Sequence, residues 1–140
     1  MTSPQKKLFD TVFDLLISQG YTVYDYLPLE DEPVEYPIVV MGATQQTSAM
    51  TKYSRNDHVF LTIDVWGSKK QRKVVSDIAD YIYDLGIGYI KTDEYTFYGQ
   101  TSQQDLEMSI DTSVPNTTYQ RATIKLEPVS YTHLTLPTTE

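Results

Sequence analysis

A chain of 140 residues and 16.1 kDa has room for one domain built on a single core. With 40% hydrophobic and 21% charged residues it belongs with globular rather than disordered sequences. A net charge of -8 works against general nucleic-acid binding and against anionic membranes, and the lack of cysteine excludes disulfides, thiolate catalysis and Cys-ligated metals.

Ser3-Pro4 opens the first predicted helix, with a capping hydroxyl followed by a proline whose missing N–H would be unpaired anyway. Leu8, Val12, Leu15 and Leu16 then share one face, widened by Phe9 and Phe13, and Gly20 supplies a stop, so the helix runs from Pro4 to Ser18. The segment "YTVYDYLP" (Tyr21–Pro28) is β-prone and extended, and "LEDEPVEYP" (Leu29–Pro37) is an acidic loop bracketed by prolines. "IVVMGA" (Ile38–Ala43) predicts a short buried strand. "TQQTSAMTKYSRND" (Thr44–Asp57) is polar without periodicity, either a long mobile loop or a loose hairpin arm.

"HVFLTIDVWG" (His58–Gly67) is the clearest strand: Val59, Leu61, Ile63 and Val65 face one side, and Phe60, Thr62, Asp64 and Trp66 the other. Ser68 is the expected cap of a second helix whose core stripe is Val74, Ile78, Ile82 and Leu85, flanked by Val75 and Ala79. Lys73, Asp77, Asp80 and Asp84 take its wet side, and Gly86 ends it. Strands are expected at Ile87–Thr92, Glu94–Gly99, Asp105–Asp111 and Tyr119–Leu126, with a turn at Val114–Thr118. Strands in runs with helices between the runs predict an α+β fold: a mainly antiparallel sheet with two main helices on one face.

The last residues stand apart. "VSYTHLTLPT" (Val129–Thr138) has neither sheet alternation nor helical period, and it is similar to one reading frame of a widely used sequencing-library transposon end. That match runs without a gap and extends into the first base of a codon for Thr139, leaving Glu140 unconstrained. It implies a single domain over 1–128, a non-native tail over 129–140, and read-through of the kind found in assembled environmental DNA. The tail is then expected to be extended and sparsely packed, with Tyr131 and His133 outside any functional argument; the alternative is a genuine final strand ending at Pro137.

His58 beside Asp57 could serve as a general base or metal ligand, but one His and one Asp fall short of the three or four convergent ligands a metal needs. A polar residue at a strand edge is the plainer reading. The acids Glu30, Asp31, Glu32 and Glu35 could form a cation loop, a solvated loop, or a negative contact or lumen surface; the spacing and central glycine of a calcium loop are missing. In "SKKQRK" the cations Lys69, Lys70, Arg72 and Lys73 oppose the dipole of the second helix, which points either to an exposed turn or to an acidic partner. The tyrosines, with Trp66 and Phe60 opposite the aliphatic face, suit protein contacts; either the second helix or a neighbouring subunit would cover that face. No phosphate loop, G-x-S-x-G or H-E-x-x-H is present, so neither a catalytic set nor a cofactor is expected.

Four blocks occur in a fixed order: "SPQKKLFD" (Ser3–Asp10), "GYTVYDYLP" (Gly20–Pro28), "YPIVVMG" (Tyr36–Gly42) and "FLTIDVWG" (Phe60–Gly67), the last followed by a basic helix start and "VSDIADYIYDL". Over Ser3 to about Leu126 this resembles the small tail-completion or head–tail joining proteins of long-tailed phages and prophages of Gram-positive bacteria. The resemblance implies a structural virion protein that forms a ring, often of six subunits, and contacts neck or connector and tail-tube proteins while DNA passes through its lumen. It implies no membrane and no sequence-specific nucleic acid. The expected interface is Tyr24, Tyr26, Phe60, Trp66, Lys69, Lys70 and Arg72. The expected assembly loop holds Thr44, Gln45, Lys52, Tyr53 and Arg55, and the acids at 30–35 form a lumen or contact loop. A non-enzymatic bacterial adaptor of similar fold is the alternative.

Overall fold

The computed structural model describes residues 2–28 and 32–133. Helix α1 spans Pro4–Ser18, with the Ser3 hydroxyl accepting from Lys6 N–H at 3.3 Å and Pro4 in the first turn. It buries Leu8, Val12 and Leu16. The chain then passes through a two-residue strand β1 (Val23–Tyr24), where a longer extended segment is expected, and a cis Tyr36–Pro37 peptide leads into β2 (Ile38–Met50).

β2 is far longer than its apolar block. Only Ile38 to Met41 are buried; from Ala43 onward the strand is almost wholly exposed and continues as one arm of a hairpin with β3 (Ser54–Ser68). The polar stretch Thr44–Asp57 is therefore an ordered hairpin arm. Periodicity does not show it because its pairing is with β3 and not with the core. The register shifts at Gly42, where an added Cβ would lie 2.8 Å from the Thr62 carbonyl oxygen.

Helix α2 spans Arg72–Leu85. Its N-cap is Gln71 and not Ser68, which is the last residue of β3; Ser68 N–H donates to Gln71 Oε1 at 2.9 Å. The buried stripe is Val75, Ile78, Ala79 and Ile82, while Val74 is 43% exposed and Leu85 half-buried. Ile78 and Ile82 are buried as expected, and the stripe shifts toward its expected flank, Val75 and Ala79, because Val75 packs against Gly67, where an added Cβ would clash with Val75 Cγ2. Strands β4 (Gly88–Lys91), β5 (Thr96–Gly99), β6 (Asp105–Asp111) and β7 (Tyr119–Leu126) follow, with a short 3₁₀ turn at Thr101–Gln103.

Among the described residues the sheet has eight strands, antiparallel except for the β1–β2 pair. The central strand β3 pairs with β2 along one edge and along the other with β7 and then β8 (Val129–His133). β6 extends the sheet beyond β7, and β5 and β4 extend it beyond β8. Both helices lie on the face of Val59, Leu61, Ile63 and Val65 and close one core with Val39, Met41, Phe97, Ala122, Ile124 and Leu126. This is the α+β arrangement that the strand and helix order predicts.

The expectation of a sparsely packed tail does not hold at 129–133. β8 pairs with both β3 and β5, Ser130 is 1% exposed, and Val59 N–H donates to the Pro128 carbonyl at 3.0 Å. Sheet pairing is made by backbone groups, so a strand can form without alternation in its side chains. Leu134 and Leu136 lie outside the described residues.

Candidate protein-interaction surface

Neither helix covers the second face of the sheet, so Phe60 and Trp66 are not sheltered by α2; each is half-buried among neighbours on its own face. Around Trp66 the register sets Arg121 and Ser109 beside it, with Asp64, Thr123 and Glu107 in the next row. The Arg121 guanidinium lies over the indole at 4.7 Å, and Arg121 Nε donates to Asp64 Oδ1 at 3.2 Å. Thr123 Oγ1 donates to the same oxygen at 2.8 Å. Arg121 also reaches Asp111 at 3.9 Å. Ser113 hydroxyl and backbone donors, with a smaller contribution from Arg121, hold the Asp111 carboxyl below the usual range.

Beside this network lies a cavity of about 220 Å³ walled by Leu27, Pro28, Tyr36, Ile38, Trp66 and Tyr119. Tyr119 meets Trp66 edge-on at 6.1 Å and tilts against Tyr36 at 5.4 Å. Burial first, and the adjoining Tyr119 hydroxyl second, push the Tyr36 phenol up to about 12. Trp66 Nε1 is buried with no hydrogen-bond partner among the described residues. Tyr36, Trp66 and Tyr119 therefore form an aromatic concavity, and Asp64, Arg121 and Asp111 fix one wall of it.

The expected interface residues do not form one patch. Trp66 belongs to the aromatic concavity, whereas Phe60 lines a separate hollow with Gln103, Asp105, Lys125 and Glu127. Tyr24 and Tyr26 stack edge-to-face at 5.5 Å, and the Tyr26 hydroxyl donates to Glu32 at 2.9 Å. Lys69, Lys70 and Arg72 are exposed at the far end of β3. There Gln71 Nε2 donates to the Tyr36 carbonyl and Gln120 Nε2 to the Lys69 carbonyl, so the basic turn is a fixed feature of the surface.

The expected assembly loop is the β2–β3 hairpin arm. Thr44 and Gln45 lie exposed on β2, and Lys52 and Tyr53 occupy the tip with Lys52 Nζ 5.4 Å from the Tyr53 ring. Arg55 Nε donates to Asp57 at 3.0 Å; Asp57 is 0% exposed and also accepts from the Ser48 hydroxyl, which ties the arm's two strands together. Of the acidic loop, Glu32 and Glu35 are described, whereas Glu30 and Asp31 lie outside the described residues.

His58 faces Glu127, with Nδ1 3.7 Å from Oε1, and both line a hollow of about 320 Å³ with Tyr98, Gln100, Gln103 and Tyr131. At its side Tyr98 tilts against Tyr89 with ring centroids 4.9 Å apart, and Tyr89 is 69% exposed. Among the described residues no group of three His, Cys, Asp or Glu side chains could hold a metal ion, and no helix is long and apolar enough to cross a membrane. Sequence reasoning did not single out Arg121, Asp64, Asp111 or Tyr119. Their one signal is charge in the middle of alternating strands, and which charges meet depends on the β3–β7 register. No protein-family model matches the chain, and no curated protein matches it in sequence.

Proposed function

We propose that this chain is a structural phage virion protein that completes the tail and joins it to the head or neck. It acts as a ring through protein contacts around the DNA channel, without catalysis or cofactor. The observation that carries this reading is the fixed order of the four blocks at Ser3–Asp10, Gly20–Pro28, Tyr36–Gly42 and Phe60–Gly67. The surface is compatible with it: aromatic hollows on an uncovered sheet face, an exposed hairpin arm, and a net charge of -8 that would not grip DNA passing through a lumen. Neck or connector proteins and tail-tube proteins are the partners this role requires, and the virion is its location.

Negative-stain electron microscopy of the purified chain, alone and mixed with tail-tube and connector proteins of a siphovirus-type phage, tests the proposal. Rings with an open centre, or specific attachment to a tube end, are expected. A chain that stays monomeric with both partners at high concentration sinks the reading.

A further inference from the structure

From Tyr36 to Thr51 the sequence carries no charged residue, the longest such run in a chain that is 21% charged. The structure turns half of that run into a sheet edge. β2 pairs with β1 only at Val39 and Val40, and beyond Val40 no strand among the described residues pairs with its outer side. Thr44–Met50 is thus roughly 20 Å of edge at about 3.3 Å per residue. Apart from half-buried Gln46 its side chains are exposed, with Met50 at 68%. Natural sheets blunt such edges with charge, proline or bulges. The outer strand β6 does so with Asp105, Glu107 and Asp111, and β4 is only four residues long. The β2 edge has no such guard over these residues.

We infer that the Thr44–Met50 edge of β2 is a strand-pairing surface for the same edge of a second copy of this chain, antiparallel and centred on Thr47. Charge selects this occupant. β6 from another copy would lay three carboxylates along an edge with no cation to receive them, whereas β2 against β2 desolvates no charge. The hairpin sets the register. Thr51 N–H donates to the Ser54 carbonyl at 2.8 Å, so alternate residues Thr51, Ala49 and Thr47 direct their peptide groups to β3. Those of Thr44, Gln46, Ser48 and Met50 point outward. The pairing that uses all four sets Gln46 against Ser48 and Thr44 against Met50. Thr47 then meets Thr47 across the two-fold axis, in a position without direct hydrogen bonds where Cα atoms approach to about 4.5 Å. Opposed threonines are a favourable cross-strand pair. This two-fold contact is independent of the ring proposed above.

Because the chain has no cysteine, Thr47→Cys introduces its one thiol, at a spacing that suits a disulfide. Under mild oxidation Thr47→Cys is expected to cross-link to a dimer at least about tenfold faster than Ser102→Cys, as the pairing brings the thiols within bonding distance. Thr47→Lys, which opposes two ammonium groups, is expected to weaken dimerisation about tenfold by analytical ultracentrifugation with an unchanged melting curve. Cross-linking of Thr47→Cys no faster than Ser102→Cys overturns the inference. A dimer affinity unchanged in Thr47→Lys also overturns it, whether or not rings form. A dimer lost on Thr47→Lys with no ring at any concentration supports the inference and removes the ring.

Discussion

Arg121 is the residue on which the open face turns, and Arg121→Ala tests that directly. In the folded chain its guanidinium covers the Trp66 ring at 4.7 Å and bonds Asp64 at 3.2 Å. The cation–π contact at a partly exposed site contributes about 0.5–1 kcal/mol. The Arg121 side chain is 36% exposed and Asp64 is 16% exposed, so solvent screens the ion pair and its share is about 0.5–1 kcal/mol. Asp64 keeps the Thr123 hydroxyl after the change, which limits the cost of the orphaned carboxylate. The expected loss is about 1–2 kcal/mol in urea unfolding with an unchanged m-value, and Arg121→Lys should lose about half as much because a point charge does not stack or fork in the same way. The chain has one tryptophan, so its fluorescence reports on this face alone. Losing the guanidinium should move emission to longer wavelength and raise quenching by iodide. Unchanged emission and quenching in Arg121→Ala, with the fold intact, would refute the placement of the guanidinium over the ring.

The remaining tests address packing and titration. Gly99 lies where an added Cβ would come 1.8 Å from the Gly86 carbonyl oxygen, backbone against backbone, so Gly99→Ala should cost about 3 kcal/mol or more by thermal melting. Gly20, with φ +89° and open space around it, should cost only about 1 kcal/mol on change to Ala; equal effects would show that the Gly86–Gly99 approach is wrong. Tyr36 is raised in the folded state, so folding protects its proton and the stability this confers is complete below about pH 10 and lost as pH rises through about 12. Ultraviolet titration should find one phenol ionising near that upper value and returning toward 10 in Tyr119→Phe; a last phenol already ionised by pH 11 contradicts the burial.

How much could be read in advance depended on whether a residue's role is local. Helix α1 was legible to its ends because Ser3, Pro4 and the 3.6-residue stripe are all local signals. Strand β3 was legible from its alternation, and both its faces are as expected. Helix α2 was legible in existence but shifted in detail, since the edge of its buried face is decided by the close approach of Val75 to Gly67. The β2 arm was undecided because its partner is another polar strand. The Asp64–Arg121–Trp66 group required knowing that Thr123 and Arg121 stand opposite Asp64 and Trp66, a pairing across more than fifty residues of chain that no period encodes. The aromatic concavity required in addition that Leu27, Tyr36 and Val114 converge on Trp66.

The end of the sheet poses a question that one hydroxyl can answer. β8 occupies the slot between β3 and β5 by backbone pairing, with Ser130 opposite Asp57 on one side and Phe97 on the other. A side chain fitted to this slot would be bonded there. Instead Ser130 Oγ and Asp57 Oδ2 are both buried without a hydrogen-bond partner among the described residues. A buried polar atom left unpaired costs about 1–3 kcal/mol. Ser130→Ala removes one such atom and changes little volume, so it should leave stability unchanged or raise it by about 1 kcal/mol. If the hydroxyl were instead bonded to Asp57 Oδ2, its loss would leave that buried oxygen unpaired, with Oδ1 still held by Ser48 and Arg55, and the melting midpoint would fall. The first outcome marks Ser130 as a side chain that β8 does not need in order to hold its place in the sheet. The second marks Ser130 as a side chain matched to Asp57, and weighs against a domain that stops at Pro128.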